Sequence, residues 1–329
     1  MPGKPYQSKL KPYEAELYKL IGNGRSYRDI AASLNGKYNL GISHNAIFSF
    51  VKAKSRQQKI PGRMFYEGLD ADIRNSLMKQ IIAVWTHDST AIEGNTLTLG
   101  ETVQVLELGL TINGKSLKDH QEVYGHARAI DLMQKMLTGK EIIEEHLFEL
   151  HRTIMPMVPV DVQNPVGEWK KDYNGTTGMS GDKIKYIEYA APQDVPFLMK
   201  RWMDGFNRLP HCCPDQSAAV DAYAWAHMVF VRIHPFFDGN GRMARLLANI
   251  PVLRSGFPPI VLSPESRGRY IEILWKNQLS LGRLERKDDL LPSHSSVREF
   301  KDLLIHEWKN TTELVEEAVI KQEQRNSLK

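Results

Sequence analysis

The stretch His234-Pro-Phe-Phe-Asp-Gly-Asn-Gly-Arg-Met-Ala-Arg245 decides how the rest of the chain is interpreted. Pro235 disfavours a helical conformation of the residue before it. We therefore expect a helix to end at Ile233, with His234 at a helix-to-loop corner. A neutral imidazole there can accept a proton from a nucleophile near neutral pH. His234 is the candidate catalytic base.

The residues after the histidine are suited to binding a metal ion and phosphate. Asp238 can bind a cation, and one carboxylate completed by waters and substrate phosphates is a common magnesium shell. Gly239 and Gly241 allow successive N–H groups to turn inward as an anion-binding nest, and Asn240 adds an amide donor. The run 242–250 is typical of a helix, so the nest is expected at a helix N-terminus, where phosphate binds favourably.

Two arginines complete this set, because Arg242 and Arg245 lie three positions apart and share one face of a helix. Guanidinium groups suit phosphate oxygens or a carboxylate. A base, a metal-binding carboxylate, an anion-binding loop and two cations together indicate a site that handles a nucleotide. A structural helix-loop-helix anchored by Phe236 is the alternative.

The stretch 234–245 resembles, at every defined position, the motif of Fic-domain proteins, His-Pro-Phe-x-Asp/Glu-Gly-Asn-Gly-Arg-x-x-Arg. The resemblance implies a mainly α-helical Fic-type bundle with a β-hairpin flap. It also implies transfer of AMP from ATP to a Tyr, Ser or Thr hydroxyl of a protein, with Mg²⁺. Family members that transfer phosphate carry Asp-Ala-Asn-Lys, so the Asp-Gly-Asn-Gly of this chain favours AMP transfer. Another nucleotide as donor stays open.

The same resemblance implies a role for each residue of the motif. His234 would deprotonate the attacking hydroxyl, and Asp238 would hold Mg²⁺ across the α- and β-phosphates. Charge on the transferring phosphoryl group would be stabilised by Asn240 and by the N–H groups of Gly239, Gly241 and Arg242. The β- and γ-phosphates would be held by Arg242 and Arg245.

A shorter motif, Ser89-Thr-Ala-Ile-Glu93-Gly94, precedes this stretch. Asp88 or Ser89 is predicted to cap a short helix that ends at Glu93-Gly94, since glycine readily takes a left-handed φ at a helix end. The segment resembles the inhibitory motif Ser/Thr-x-x-x-Glu-Gly/Asn of Fic proteins. The resemblance implies that Glu93 occupies Arg245 and inhibits the enzyme. The same glutamate could instead orient a water that removes AMP from a modified target.

A β-hairpin flap is expected after Pro165. Residues 170–174 and 183–189 alternate enough to be two strands around the loop 175–182. In the family this flap guides the target chain by strand addition. The usual family sequence before it is glycine, an aromatic residue and arginine, whereas this chain has Lys170 after Trp169. A specific contact expected of that arginine is therefore not carried over.

Several other segments are predicted to be helical. Residues 215–233 are largely apolar, as in the central helix of a bundle, and His227 within them is expected to be a core histidine. The helix 266–278 carries Tyr270 and Asn277, whose family counterparts lie near the adenine pocket; Tyr270 could equally be a packing residue. Residues 148–155 are also predicted helical. The tail 299–329 is expected to be one long charged helix.

Basic charge is concentrated at the N-terminus, where residues 1–63 contain 12 Lys+Arg and 3 Asp+Glu. Such asymmetry suggests an acidic partner, nucleic acid first. Three predicted helices, starting near Pro12, after an N-cap at Ser26 and after Ser43, resemble a helix-turn-helix unit with residues 35–42 as its turn. A small basic bundle that docks on the catalytic domain or a protein partner is the alternative.

The composition is that of an ordinary globular chain, with 329 residues, 42% hydrophobic and 25% charged. Four regions are predicted: a basic helix-turn-helix-like module (1–60), a linker and inhibitory helix (61–100), the Fic catalytic domain (101–290) and a helical tail (291–329). The absence of a long apolar run or signal peptide, and the adjacent Cys212 and Cys213, predict a cytoplasmic protein.

The expected partners follow from these observations. They are a protein substrate with an acceptor hydroxyl, which could be the chain itself, and DNA through residues 1–60. A homodimer is possible, and no membrane partner is expected. A DNA-binding regulator whose Fic site modifies itself or senses nucleotide is the alternative function.

Overall fold

The computed structural model describes residues 7–13, 16–17, 19–20, 25–47, 50, 64–139, 141–156 and 165–327. These residues are mainly helical, with a two-stranded antiparallel sheet, so the predicted fold class is confirmed. Among the residues described, no helix combines the length and apolar character that crossing a bilayer requires.

The helices and strands follow each other in this order. The helices are α1 (Gln7–Leu10), α2 (Tyr27–Tyr38), α3 (Ala71–Ile92), α4 (Leu99–Leu108), α5 (Leu117–Leu137), α6 (Glu144–Ile154), α7 (Val195–Asn207), α8 (Gln216–Ile233), α9 (Asn240–Leu247), α10 (Asn249–Arg254), α11 (Arg267–Leu281) and α12 (Ser295–Ser327). The strands are β1 (Gly175–Ser180) and β2 (Lys183–Glu188). Short 3-10 helices span Lys11–Tyr13, Pro192–Asp194 and Pro264–Ser266.

The chain divides into two compact units, residues 1–77 with 314–329 and residues 78–313. The predicted boundaries at 60, 100 and 290 do not coincide with this division. The reason is that α3 and α12 are long helices, and each contributes residues to both units.

The first unit contains a small hydrophobic core built by the N-terminal helices. Ser26 caps α2 by accepting from the N–H of Asp29, as predicted. The predicted turn 35–42 is wrong in its first half, because α2 continues to Tyr38 and ends at Asn39, whose φ is 48°. Residues 44–47 are helical again. Core side chains include Leu10, Leu17, Ile30, Leu34, Ile47 and Phe50. The rest of the predicted third helix, with Phe48 and Val51, lies outside the described residues.

In the second unit, α8 is the central helix, as its apolar sequence predicted. Asp215 caps it by accepting from the N–H of Ala218 at 2.9 Å. Side chains on all its faces are buried because it packs against α7, α9 and α10. Helix α5 packs against α4, α6 and α9 and forms the other side of the site.

The hairpin forms, but one predicted strand was misplaced. Strand β1 starts at Gly175, in the predicted loop, and its register with β2 runs from Gly175↔Glu188 to Ser180↔Lys183. A two-residue turn suffices because Gly181 takes a φ of 60°. Residues 170–174 are not a strand, since Lys170 and Asn174 bond to residues 235–237 instead.

The segment Ser89–Gly94 also differs from the expectation. Residues 88 and 89 lie inside the 22-residue helix α3, so neither caps a short helix. No helix-breaking residue interrupts Ala71–Ile92, and the Asp88 side chain bonds to His87 instead of a helix N-terminus. Gly94 has a φ of 97°, as predicted for the residue that ends this helix.

Candidate active site

His234 lies at the C-terminal end of α8, as Pro235 predicted. It adopts a left-handed conformation with φ 54°, and its N–H donates to Phe230 O. Its Nδ1 lies 3.2 Å from the carbonyl oxygen of Val231, which can only accept, so Nδ1 carries the proton and Nε2 has the lone pair. Burial, followed by the charge of Lys170, lowers the pKa of His234 to about 3. The imidazole is therefore a neutral base at physiological pH.

The loop after His234 is closed by Asn240. Its side-chain Nδ2 donates to Phe236 O at 2.7 Å, and its Oδ1 accepts from Phe236 N–H at 2.9 Å. Phe236 is buried under the loop. The Asn240 side chain thus closes the loop through its oxygen and one of the two N–H groups on Nδ2.

The two glycines of the loop are required by close approaches. Gly239 takes a φ of 77°, and a Cβ there would lie 2.9 Å from Met155 Sδ. A Cβ on Gly241 would collide with Glu93 Oε1 and lie 3.0 Å from Arg245 Nη1. The first turn of α9 therefore faces the Glu93 carboxylate at close range.

Arg245 of the motif forms hydrogen bonds with the segment Ser89–Gly94. Its Nη2 donates to Glu93 Oε1 at 2.7 Å and to Ser89 O at 2.8 Å, and its Nε donates to Ser89 Oγ at 3.0 Å. The arginine side chain is 3% exposed, whereas that of Glu93 is 38% exposed. Charge-assisted bonds of this kind are the stronger ones in proteins. The structure thus brings together Ser89, Glu93 and Arg245, as the sequence implied.

Arg242 is also buried but is held more loosely. Its nearest carboxylates are Glu122 Oε1 at 3.5 Å and Asp238 Oδ2 at 3.7 Å, and it donates to Ile154 O at 3.4 Å. Its Nε has no hydrogen-bond partner among the residues described. A buried guanidinium with an unpaired donor can accept a further anionic partner.

Asp238 points away from the core. Its Oδ1 accepts from Gly239 N–H at 2.6 Å, and its side chain is 71% exposed. The residues described contain no group of three or more His, Cys, Asp or Glu that could hold a metal. One exposed carboxylate fits a magnesium ion that keeps waters and phosphates as its other ligands.

Two residues near the motif were missed from the sequence. Glu122 on α5 faces Arg242, and its Oε2 accepts from Asn95 Nδ2 at 3.0 Å. His151 on α6 accepts from Gly167 N–H at its Nδ1 (2.9 Å), and its Nε2 lies 3.0 Å from Asp238 O. Neither residue had a local sequence signal, because these partners lie 16 to 120 positions away.

Tyr270 and Asn277 lie on α11 but have different surroundings. The Tyr270 hydroxyl is 3.0 Å from His227 Nε2 and accepts from Arg245 Nη1 at 3.4 Å. His227 is fully buried, as expected of a core histidine, and burial holds its pKa well below the usual value. Asn277 donates to Ser296 Oγ and lines a cavity of about 310 Å³. Tyr270 is not among the residues that line it.

This cavity lies between the hairpin and helices α8 and α11. Its wall includes Thr176, Gly178, Tyr189, Val231, Trp275 and Asn277. Tyr189 also stacks on His234, with ring centroids 3.8 Å apart and planes 1° apart. The cavity therefore opens beside the candidate base.

Comparisons with known proteins agree with this arrangement. The Fic/DOC family matches residues 141–251. Protein adenylyltransferase fic-1 of Caenorhabditis elegans is 33% identical over 198 residues, 59% of this chain and 36% of that protein. Protein adenylyltransferase Fic of Drosophila willistoni is 34% identical over 195 residues, 57% of this chain and 35% of that protein. The chain thus spans about a third of the length of these relatives.

Solved structures give the same result. A Fic domain containing signaling protein from Bacteroides thetaiotaomicron has a TM-score of 0.64 at 28% identity, covering 76% of this chain and 92% of that one. Residues 134–508 of C. elegans Fic-1 have a TM-score of 0.56 at 26% identity, covering 92% and 84%. Residues 141–251 of this chain therefore match the Fic/DOC family, and the chain is similar over 59% of its length to a Fic protein adenylyltransferase.

Proposed function

We propose that this chain transfers AMP from ATP to a hydroxyl group of a protein and that Glu93 inhibits the transfer. The observation that carries the proposal is the position of the Glu93 carboxylate. It bonds to Arg245 and approaches Gly241 at the start of α9, the place suited to phosphate. A neutral His234 lies at the other end of the same loop.

The described residues supply a place for each part of ATP. Backbone N–H groups at the start of α9, the unpaired Nε of Arg242 and the guanidinium of Arg245 suit the phosphates. The cavity lined by Asn277 suits the adenine and ribose, since it adjoins the hairpin and the base. Asp238 is the candidate for holding Mg²⁺, which would neutralise charge on the phosphates.

The residues of the chain then define the reaction. His234 Nε2 takes the proton of the target hydroxyl while the hydroxyl oxygen attacks the α-phosphorus. The bond from the α-phosphorus to the bridging oxygen breaks, and pyrophosphate leaves. N–H groups of the nest, together with Arg242, stabilise the charge on the phosphoryl oxygens, which is the larger part of catalysis in such sites. Since the low pKa of His234 makes it a weak base, the negative charge of bound nucleotide helps it accept the proton.

The experiment measures AMP transfer from α-labelled ATP with magnesium, using the protein itself and a cell lysate as acceptors. Glu93→Gly removes the charge-assisted hydrogen bond between Glu93 and Arg245, which is worth about 1.5–3 kcal/mol, so transfer is expected to rise by about tenfold or more. His234→Ala in that background should lower it by about 10²- to 10⁴-fold. His211→Ala, at an exposed histidine outside the site, is the matched control. If Glu93→Gly transfers no label, the proposal is contradicted.

Removal of AMP from a modified protein is a second candidate, because Glu93 is 38% exposed and could orient a water. Incubating AMP-modified protein with Mg²⁺ distinguishes the two. Release of AMP by wild type that disappears in Glu93→Gly would assign this reaction to Glu93. Equal release of AMP by both proteins would mean that Glu93 has no part in removing AMP and acts only as an inhibitory residue.

DNA binding is a candidate function of the N-terminal unit. Its basic residues include Arg25, Arg28 and Lys37, which are exposed. Five residues connect α2 with the next helical residues, and Asn35 spans this connection by two hydrogen bonds to the backbone of Ile42. A phosphate-binding surface predicts salt-sensitive binding. If duplex DNA shows no gel shift with the protein at low salt, this function is ruled out.

A homodimer is proposed from an exposed apolar surface. Leu117 and Tyr124 of α5 are 71% and 57% exposed and lie seven residues apart, so they share one helix face. Leu108 and Leu110 at the end of α4 are 66% and 48% exposed. Exposed apolar groups of this size mark association surfaces in many proteins. The cytoplasmic location predicted from the sequence is also kept as a proposal.

A further inference from the structure

Lys170 is a buried cation beside the candidate base. It is 3% exposed and lies just before the hairpin, outside the motif. Its N–H donates to Pro235 O at 2.9 Å, and its Nζ donates to Asn174 Oδ1 at 2.6 Å. Both ends of this lysine are therefore engaged, one with the motif loop and the other with the base of the hairpin.

Asn174 also bonds to the motif loop. Its Nδ2 donates to Phe236 O at 3.0 Å and to Phe237 O at 3.4 Å. Its carbonyl oxygen accepts from Tyr189 N–H at 3.0 Å. The ring of Tyr189 in turn stacks on the imidazole of His234. A continuous set of contacts thus connects Lys170 with the plane of the His234 ring.

The charges around Lys170 do not by themselves account for its burial. No carboxylate forms an ion pair with its Nζ within the described part of the chain, and Asn174 offers only an amide oxygen. Burial lowers the pKa of Lys170 to about 7, while the charge of Glu188 on β2 raises it. Glu188 itself pairs with Arg283 at 3.0 Å. A buried amine without a counter-ion is costly, so it indicates a function other than stability.

The charged groups that face His234 indicate what this function is. Lys170 lowers the pKa of His234, whereas the Val231 carbonyl and the carboxylate of Asp238 on the motif loop raise it. Tyr189 covers one face of the ring and has its own pKa raised by burial, so it is neutral there. Lys170 is thus the cation that opposes protonation of the imidazole from the hairpin side.

We propose that Lys170 is a positioning residue for His234: through Asn174 and Tyr189 it fixes the motif loop and the imidazole plane for proton transfer. The inference rests on the proposed function, because it concerns the base of the AMP-transfer reaction. It goes beyond the resemblance, from which no specific contact was carried over to Lys170.

The test compares Lys170→Met, Lys170→Arg and Asn174→Ala in the Glu93→Gly background. Misplacing a base by about 1 Å can lower a rate about 100-fold. We expect Lys170→Met and Asn174→Ala to lower kcat by about 10- to 100-fold, with KM for ATP changed by less than about threefold. Lys170→Arg keeps a charged donor and should recover most of kcat. Lys171→Met, at the neighbouring exposed lysine, is the matched control.

A pH titration of His234 by NMR gives a readout that does not depend on activity. Removing the Lys170 charge is expected to move the midpoint of His234 protonation to higher pH, and Lys170→Arg should leave it near the original value. In kinetics, the acid limb of kcat/KM should move in the same direction in Lys170→Met.

Three outcomes would overturn the inference. One is kcat within twofold of Glu93→Gly in both Lys170→Met and Asn174→Ala. Another is an unchanged His234 titration in Lys170→Met. The third applies if Lys170→Met does not fold: Asn174→Ala then decides, and a kcat equal to that of Glu93→Gly would reduce Lys170 to a structural role. Absence of transfer in Glu93→Gly itself would instead contradict the proposed function, which keeps the two failures distinct.

Discussion

Buried histidines determine the pH behaviour of the site at the scale of single residues. His151 stacks on Phe236 with planes 4° apart and bonds at both ring nitrogens to backbone groups. Burial lowers its pKa to about 4, and the Asp238 carbonyl partly offsets this. The ring is thus neutral where it supports the loop. A proton on Nδ1 would remove the acceptor for Gly167 N–H and weaken the support.

A pH-dependent stability follows for His151. Since its pKa is lower in the folded than in the unfolded chain, the unfolded chain binds more protons below the usual pKa. The contribution of neutral His151 to the free energy of unfolding is complete above pH 6.5 and is lost as pH falls towards 4. Its full size is on the order of 3 kcal/mol. We expect denaturant titrations at pH 7.5 and 5 to show a smaller loss of stability for His151→Asn than for wild type. Equal losses would contradict this.

Loop closure by Asn240 gives a second prediction at this scale. Asn240→Ala removes two buried hydrogen bonds to Phe236 and leaves the Phe236 N–H unpaired, while the Phe236 carbonyl keeps the bond from Asn174 Nδ2. The expected cost is about 2–4 kcal/mol of unfolding free energy, since an unpaired buried group costs about 1–3 kcal/mol. Urea unfolding measures it. Gln104→Ala, at an exposed amide of α4, is the control. A change below about 0.5 kcal/mol would show that the loop does not depend on these bonds.

At the scale of elements, the end of α3 is held in place by contacts beyond Glu93. Asn95 Nδ2 donates to Glu122 Oε2 and to Asp119 O, both at 3.0 Å. On the other side, Arg267 Nε donates to Ile92 O at 2.7 Å. These contacts fix the end of the helix between α5 and α11, so the Glu93 carboxylate reaches Arg245 without further ordering of the chain.

Asn95→Ala is therefore expected to relieve inhibition partly. Transfer of AMP should rise about two- to tenfold above wild type, less than in Glu93→Gly, since the three hydrogen bonds of the Asn95 side chain support the contact between Glu93 and Arg245 only indirectly. The double variant Glu93→Gly/Asn95→Ala should equal Glu93→Gly alone, because both changes act through one contact. A further increase in the double variant would refute this coupling.

The hairpin is attached to α11 by Trp275. Its Nε1 donates to Met179 O at 2.7 Å, and its ring lies where a Cβ on Gly178 would be. Trp275→Ala should increase hydrogen exchange of the β1 and β2 amides while exchange in α8 stays unchanged, since a two-stranded hairpin is marginally stable by itself. Unaltered exchange in the hairpin would mean that other contacts hold it.

At the scale of the whole molecule, self-association depends on the exposed face of α5. Leu117→Asp places a charge on a residue that is 71% exposed, so folding should be unaffected while an apolar interface would be broken. Light scattering after size exclusion should show a lower mass for this variant than for wild type. Ile305→Asp, at a 53% exposed apolar residue of α12, is the control. Wild type that is monomeric at all concentrations would contradict the dimer.

Local chemistry made much of this protein predictable from its sequence. Pro235 ended α8 and left His234 at its end, Gly94 ended α3, and Ser26 capped α2, because each effect acts within a few residues. The motif 234–245 and the Fic resemblance gave the fold class. The position of β1 and the length of α3 were wrong, since the turn at Gly181 and the surroundings of Asp88 were not distinguishable by pattern alone.

The sequence by itself determined the candidates for the chemistry: a histidine as the proposed base, a glycine-rich loop before a helix and two arginines, set by order and spacing along the chain, with Glu93 as the proposed inhibitory residue by resemblance. Only the tertiary structure decided which groups meet. Glu122 and Arg242 are 120 positions apart, and Lys170 reaches the motif loop by backbone and amide contacts. Such pairings depend on how the helices of the second unit pack, because burial and approach between distant residues are not encoded in any local pattern.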